Sequence, residues 1–183
     1  MVNQGFYAHE YYVPLEIFKK AGFDITTATK DNVLTRPDLR HLNEFPSVKG
    51  DLIFKDVNVD DYDGIVFAGG NGSWEDYFPN DDVHKLLTKF MKTGKTVALL
   101  CSSTGLLGLA NNLDGKGEPL AEGKRVTGYY RVEGILKVMG KVNYLPGIKD
   151  RPFVVVDGNL ITGRDPMSAE LFGKTVVEEM SKK

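Results

Sequence analysis

Residues 96–105, TVALLCSSTG, decide the fold, because an uncharged run leads directly into a cysteine and then into small residues. The run Thr96–Leu100 has the length of a strand, and its lack of charge is typical of a strand buried on both faces. The small residues lead into an apolar stretch that predicts a short helix over residues 104–110. A strand that turns into a helix within two or three residues has the geometry of a nucleophile elbow, with Cys101 at its tip.

The same alternation continues on both sides of this elbow. Residues 64–68 (GIVFA) are a second uninterrupted apolar run and predict another buried strand. Residues 81–93 predict an amphipathic helix, which Gly94 ends. Its apolar residues recur at helical spacing: Val83, Leu86, Leu87, Phe90 and Met91.

The rest of the chain predicts further strands and helices, a Gly-rich connection over 111–123 and a polar start. Together they favour a flavodoxin-like, doubly wound α/β fold, with a mostly parallel sheet and helices on both faces. Such a sheet normally begins with a central strand, so residues 1–5 are either the stub of that strand or the native chain begins earlier. The other predicted elements are a helix over 12–21, strands over 23–29, 51–54, 125–130 and 153–162, and a helix from Pro166.

Composition limits the classes of function. A chain of 183 residues fits one domain over 1–183, at about 100–200 residues per domain. A net charge of −2 gives no electrostatic footprint for nucleic acid, and no apolar run is long enough for a membrane helix. One cysteine excludes an internal disulfide and indicates a reducing, cytoplasmic location, and one cysteine with three histidines cannot build a Cys-rich zinc site.

Three groups of residues could carry chemistry. A lone cysteine is usually an inert core residue, but the strand–helix junction and the unpaired amides of the following helix favour a thiolate at Cys101. Residues 69–72 (GGNG) either aim main-chain amides at a negative charge or form a plain tight turn. Glu10, just before the first helix, lies near the carboxyl ends of the strands, where such sheets bind ligands, or is a solvated acid at a helix start.

Other candidates are weaker. Residues 94–96 (GKT) resemble the end of a phosphate-binding loop, but they precede a strand rather than follow one. The three histidines show no metal-ligand spacing. His84 is predicted on the exposed side of its helix, and His9, beside Glu10, is also expected at the surface.

Four segments in this order resemble the ThiJ/PfpI superfamily, the DJ-one proteins, whose domain is of the class I glutamine amidotransferase type. Within it, residues 124–129 (KRVTGY) and the last of these segments resemble the chaperone/glyoxalase branch, without the lid segments of that branch. The four segments are residues 10–22 (EYYVPLEIFKKAG), 61–72 (DYDGIVFAGGNG), 97–101 (VALLC) and 157–166 (DGNLITGRDP).

The resemblance implies a role for each matched position. Cys101 would be the reactive cysteine, and Glu10 would be a protonated carboxyl that donates a hydrogen bond to its thiolate. The amides of Gly70 and Ser102 would form an oxyanion pocket. The resemblance also implies a homodimer or larger assembly, a small-molecule carbonyl substrate and no cofactor. Three further residues would line the site: Gly69, Asn71 and Tyr129.

The elbow departs from the family pattern in one respect. Many active members have Cys-His-Gly, whereas this chain has Cys101, Ser102 and Ser103. The other common position for a histidine holds Tyr129 or Tyr130. Since a missing general base can cost about 10²–10⁴-fold in rate, peptidase chemistry, which must protonate an amine leaving group, is disfavoured.

These residues leave three functional hypotheses. The first is a cysteine-dependent, cofactor-free enzyme that converts 2-oxoaldehydes to hydroxy acids, like glyoxalase III. The second is a non-catalytic redox sensor or stress-response protein, in which Cys101 is oxidised to a sulfinic acid. The third is another ThiJ/PfpI-type hydrolase or a hydratase.

Overall fold

Helices and strands alternate along the chain in the computed structural model, which describes residues 1–112 and 116–182. The helices are α1 (Ala8–Lys20), α2 (Asp81–Thr93), α3 (Leu106–Leu109) and α4 (Ala169–Met180). The strands are β1 (Ala28–Thr29), β2 (Leu52–Ile53), β3 (Gly64–Phe67), β4 (Thr96–Leu100), β5 (Arg125–Val126), β6 (Asn143–Tyr144), β7 (Val154–Asp157) and β8 (Leu160–Gly163).

The main sheet has the order β3-β4-β8-β7. Strands β3, β4 and β8 are parallel, and β7 runs antiparallel to β8 because the two are joined by a hairpin. Successive side chains of a strand point to opposite faces, and β4 is buried on both. Val97 and Leu99 belong to the core that contains α2, and Ala98 and Leu100 to the core that contains α4. Helices on both faces of a mostly parallel sheet confirm the predicted doubly wound fold.

Residues 1–3 take the central position between β1 and β3. The Met1 ammonium donates to the Val66 carbonyl at 2.7 Å, and the Ala68 amide donates to the Met1 carbonyl at 3.2 Å. On the other side, the Val2 amide donates to the Ala28 carbonyl at 2.9 Å. These bonds connect the parallel pair β1–β2 to the main sheet.

Two predicted strands are shorter than expected. The strand predicted over 23–29 is reduced to the two residues of β1. Residues 23–27 instead line a cavity of about 1070 Å³, together with residues 64–66 of β3. The strand predicted over 125–130 ends after two residues as β5, because the chain then turns towards the elbow. There the Tyr129 amide donates to the carbonyl of Cys101 at 3.2 Å.

Helix boundaries differ where tertiary contacts decide them. Helix α1 begins at Ala8, four residues before the predicted start, so Glu10 lies in its first turn rather than ahead of it. The helix predicted over 104–110 is a 3₁₀ turn, Cys101–Gly105, that continues into α3. The predicted connection over 111–123 is described except for residues 113–115.

The prediction that His84 is solvated is wrong. His84 is only 7% exposed, because it lies on the buried face of α2 and its ring meets the main chain of Tyr77 and Phe78. Burial lowers the pKa of His84. His9 is exposed, as expected.

The hydroxyl of Ser103 ties the ends of two strands together at the elbow. Ser103 is fully buried, and its Oγ accepts from the Leu100 amide at 3.0 Å. The same hydroxyl lies 3.1 Å from the Phe67 carbonyl, at the end of β3, and 2.8 Å from the Leu100 carbonyl. This side chain therefore satisfies main-chain groups that the turn removes from the sheet.

The variant Ser103→Ala is expected to lower the free energy of unfolding by about 1–3 kcal/mol, because the buried Leu100 amide loses its partner. The matched control is Ser181→Ala, since the Ser181 hydroxyl also bonds to a main-chain carbonyl, that of Val177, but is exposed. Its effect should stay within about 0.5 kcal/mol. Urea denaturation measures both, and equal losses would contradict a special role for Ser103.

Candidate active site at the Cys101 elbow

Cys101 occupies a strained backbone position at the end of β4. Its φ angle is +61°, in the left-handed region that residues other than glycine rarely adopt. Its carbonyl accepts from the Thr104 hydroxyl at 2.6 Å and from the Tyr129 amide at 3.2 Å. Strain of this kind costs about 1–3 kcal/mol and persists where surrounding contacts enforce it, most often at functional sites.

The thiol of Cys101 is buried, and burial shifts its pKa in the direction opposite to the one predicted from the sequence. The residue is 5% exposed and packs in the core that contains Phe172 of α4. Burial raises the pKa of Cys101, and the negative charge of Glu10 raises it further. The Ser102 amide lowers this pKa, but by less. The sequence predicts that the amides of the following helix lower the pKa of this thiol. In the structure, its surroundings raise that pKa instead.

Glu10 lies beside this thiol. The interpretation of Glu10 as a solvated acid is wrong, since it is 1% exposed. Burial raises the pKa of Glu10 to about 8, while the Cys101 thiol and the Gly69 amide act in the opposite direction. Neither carboxyl oxygen has a well-directed hydrogen bond within the described residues. The carboxyl is therefore neutral near pH 7 and keeps its hydrogen-bonding capacity for the thiol or for a bound molecule.

Gly69 makes the approach of these two groups possible. A Cβ atom on Gly69 would come within 3.0 Å of the Cys101 Cβ and would overlap Oε2 of Glu10. Any larger residue would therefore separate the carboxyl from the thiol. Sequence reasoning placed Gly69 at the site as a lining residue, and the structure gives it this steric role.

The Gly70 amide, expected in an oxyanion pocket, is engaged in the structure. It donates to Oγ of Ser102 at 2.9 Å, and the same hydroxyl lies 2.9 Å from the Gly70 carbonyl and 2.9 Å from Oγ of Ser73. The φ of Gly70 is +119°, and a Cβ there would overlap the main chain of residues 5–7. This turn therefore binds the Ser102 side chain, and the Ser102 amide is the main-chain donor that faces the sulfur.

Asn71 and Tyr129 lie on different sides of the site. The side-chain amide of Asn71 donates to Asp38 at 2.7 Å and so faces the loop between β1 and β2. Tyr129 is half-buried and packs against the core that contains Cys101, whereas Tyr130 is 64% exposed. Of the two tyrosines, Tyr129 is thus the one at the thiol.

Asp165 is a site residue that the sequence reasoning did not identify. Its negative charge raises the pKa of both Cys101 and Glu10. Its carboxylate accepts from Nε of Arg164 at 2.7 Å and from the Ser168 hydroxyl at 3.1 Å. The sequence could have indicated Asp165 through its position just after β8, because the carboxyl ends of parallel strands meet at one edge of the sheet, where ligands bind.

Within residues 1–112 and 116–182, no group of three or more His, Cys, Asp or Glu side chains is arranged to hold a metal ion. The GKT tripeptide has a structural role, since the Lys95 ammonium donates to the Val59 carbonyl at 2.8 Å. No helix in the described part of the chain is long and apolar enough to span a membrane.

Comparison with curated proteins shows relatives that cover most of the chain. An uncharacterized protein of Methanocaldococcus jannaschii is 33% identical over 177 residues, covering 94% of this chain and 76% of the relative. Glyoxalase 3 of Candida albicans is 26% identical, covering 94% of this chain and 88% of that enzyme.

A solved structure and a family model cover the same region. The ThiJ/PfpI domain protein of Brachyspira murdochii superposes with a TM-score of 0.85 at 24% identity, covering 100% of this chain and 94% of that one, which supports the fold. The DJ-1/PfpI family model matches residues 1–179. With nearly its whole length matched by that model, and with the elbow and the buried acid in place, the chain belongs to the DJ-1/PfpI family.

Proposed function

We propose that this protein is a cysteine-dependent enzyme that converts small 2-oxoaldehydes to 2-hydroxy acids without a cofactor. The observation that carries the proposal is the buried, neutral carboxyl of Glu10 against the thiol of Cys101. Isomerisation of an oxoaldehyde needs both a nucleophile and a nearby group that gives and takes protons. The similarity to glyoxalase 3 of Candida albicans supports the same class of reaction.

In the reactive form, the pair holds one proton, which lies on the Cys101 thiol because the pKa of Cys101 is raised above that of Glu10. This proton moves to the Glu10 carboxylate as the sulfur attacks, so that the nucleophile is a thiolate. The sulfur adds to the aldehyde carbon, and the carbonyl oxygen takes the proton from Glu10, which gives a hemithioacetal. The carboxylate of Glu10 then removes the hydrogen on that carbon, and a proton returns to the neighbouring carbon as its ketone becomes an alcohol. Water hydrolyses the resulting thioester to the hydroxy acid and regenerates the thiol, so no oxidant is needed.

The oxyanion of the first step lies against the Ser102 amide in this proposal. That amide already faces the sulfur, and donors fixed in advance stabilise a developing charge most effectively. No amine leaves in this reaction, so it does not need the imidazole that the elbow lacks. The strongest electrostatic influences on Cys101 come from Glu10, the Ser102 amide and Asp165.

The redox-sensor hypothesis has less support. Peroxide reacts with the thiolate, and both burial and the neighbouring acid raise the pKa of Cys101. A hydrolase or hydratase of the same family would use the same nucleophile. Turnover of amides or nitriles in place of oxoaldehydes is the result that would favour that alternative.

The variant Cys101→Ser is expected to abolish lactate formation from methylglyoxal, because a buried serine hydroxyl beside Glu10 is a far weaker nucleophile than the cysteine sulfur. Glu10→Gln should lower kcat about 10²–10⁴-fold by removing the proton carrier. Glu16→Gln on the same helix is the matched control, since Glu16 is exposed and pairs with Lys19. Undiminished turnover by Cys101→Ser would reject the proposal.

The contribution of Glu10 to the free energy of unfolding is expected to fall as the pH rises from about 4.5 to about 8, the ordinary and the raised pKa of Glu10. In this interval the folded protein keeps a proton that the unfolded chain has released. Glu10 changes the free energy of unfolding by at most about 1.4 kcal/mol per pH unit. The buried Met1 amino group, whose pKa burial lowers to about 5, contributes a slope of the opposite sign. Chemical denaturation at several pH values should show the free energy of unfolding of the wild type falling relative to that of Glu10→Gln as the pH rises, and staying constant relative to that of Glu16→Gln. Parallel profiles for Glu10→Gln and the wild type would show that Glu10 is ionised.

The variant Gly69→Ala is expected to abolish turnover and to lower the melting temperature, because its methyl group takes the space that the carboxyl and the thiol share. Gly134→Ala is the matched control. Gly134 has a helical φ of −59°, and no atom lies within 4 Å of the added Cβ. Its activity should equal that of the wild type. A Gly69→Ala variant with full activity would mean that the contact is not required.

A further inference from the structure

A fixed arginine lies at the rim of this site. Arg40, in the loop between β1 and β2, donates from Nε to Oδ1 of Asp38 at 2.7 Å. Oδ2 of Asp38 accepts from the side chain of Asn71 at 2.7 Å. Asn71 belongs to the turn after β3, the same turn whose Gly69 amide lies beside Glu10. The ion pair therefore ties Arg40 to the wall of the site.

A second set of contacts leads from Arg40 to the thiol. Its guanidinium carbon lies 5.1 Å from the centre of the Tyr7 ring. The Tyr7 amide donates to the Gly69 carbonyl at 3.2 Å. The Gly69 amide in turn lies beside the Glu10 carboxyl. Two routes, one polar and one through the aromatic ring, thus connect Arg40 to the turn after β3. The positive charge of Arg40 also acts on the Glu10 carboxyl, whose pKa it lowers slightly against the larger effect of burial.

The terminal nitrogens of Arg40 are available to a ligand. The side chain is 62% exposed, and its hydrogen bonds to the described residues use Nε alone. The two terminal groups of a guanidinium form a planar fork that matches the two oxygens of a carboxylate. Arg131, whose guanidinium carbon lies 5.7 Å from the centre of the Tyr130 ring, is a second positive charge, and it acts on Tyr129.

The charged groups around the site are neutral or paired. Glu10 is neutral near pH 7 because burial raises its pKa to about 8. Asp165 is paired with Arg164, and Asp38 is paired with Arg40 itself. The Asp38–Arg40 pair itself carries no net charge, so a small anion at the rim would be bound by the open N–H donors of the Arg40 guanidinium rather than by an uncompensated positive charge.

We propose that Arg40 is a specificity-determining residue that selects carbonyl substrates bearing a carboxylate. The guanidinium binds the carboxylate end while the carbonyl carbon reaches Cys101. This inference rests on the proposed function for the reaction itself, but the binding of the anion does not depend on turnover. Among reactive carbonyl compounds, those that also carry a carboxylate are thus preferred over neutral ones such as methylglyoxal.

The test compares two reagents that alkylate cysteine by the same displacement, iodoacetate with a carboxylate and iodoacetamide without one. The chain has a single cysteine, so intact mass reports modification of Cys101 alone. Arg40→Gln is expected to slow iodoacetate about three- to tenfold, as the loss of one steering charge does, and to leave iodoacetamide within about twofold.

Arg125→Gln is the matched control. Arg125 is also 62% exposed and also lies beside an aspartate, Asp157, but it belongs to β5 and lies at the opposite end of the sheet. Its ratio of the two rate constants should equal that of the wild type. The wild-type ratio should also fall as salt is raised, because salt screens an exposed charge.

Each outcome decides between the two proposals. Equal slowing of both reagents by Arg40→Gln would show that Arg40 only supports the structure, and an unchanged ratio would overturn its role in selection. Failure of both reagents to label native Cys101 would overturn both proposals, since neither allows an unreachable thiol. A shifted ratio without turnover of any oxoaldehyde would leave the carboxylate site standing and remove only the proposed reaction.

Discussion

The contact between the Glu10 carboxyl and the Cys101 thiol is the interaction on which the rest of the site depends. Both groups are buried, and burial disfavours the charged form of each. Each therefore keeps its proton unless the other, or a substrate, compensates. A fold that places two such groups together must supply space and rigidity, and here Gly69 leaves the space, while hydroxyl side chains bonded to the main chain supply the rigidity.

The rigidity comes from hydrogen bonds that converge on the elbow. Ser103 ties the ends of β3 and β4, Thr104 and the Tyr129 amide hold the Cys101 carbonyl, and Ser102 is fixed by the turn at Gly70. A residue with positive φ is stable only when its surroundings over-determine it. The hydroxyls that replace the usual histidine and glycine of the family pattern thus contribute to the elbow itself.

Local pattern predicted some elements fully and others only in part. Helix α2 and strand β4 have the predicted bounds, because amphipathic spacing and an uninterrupted apolar run are properties of the segment alone. The strand over 23–29 was overestimated because pairing needs a neighbour that no local pattern reveals. Cys101 and Glu10 were identifiable from their positions in the alternation. The occupied Gly70 amide and the roles of Asp165 and Arg40 depend on tertiary contacts, which the sequence does not encode locally.

The distribution of charge limits what this site can accept. Its interior is neutral at pH 7, since the acid and the thiol are both protonated, while the rim carries a guanidinium with open donors. A permanently charged group would pay a large desolvation penalty beside the sulfur, whereas a neutral carbonyl would not. A molecule with one neutral reactive end and one anionic end therefore fits both regions at once. The buried thiol thus favours the neutral end of a substrate, and the exposed Arg40 favours its anionic end.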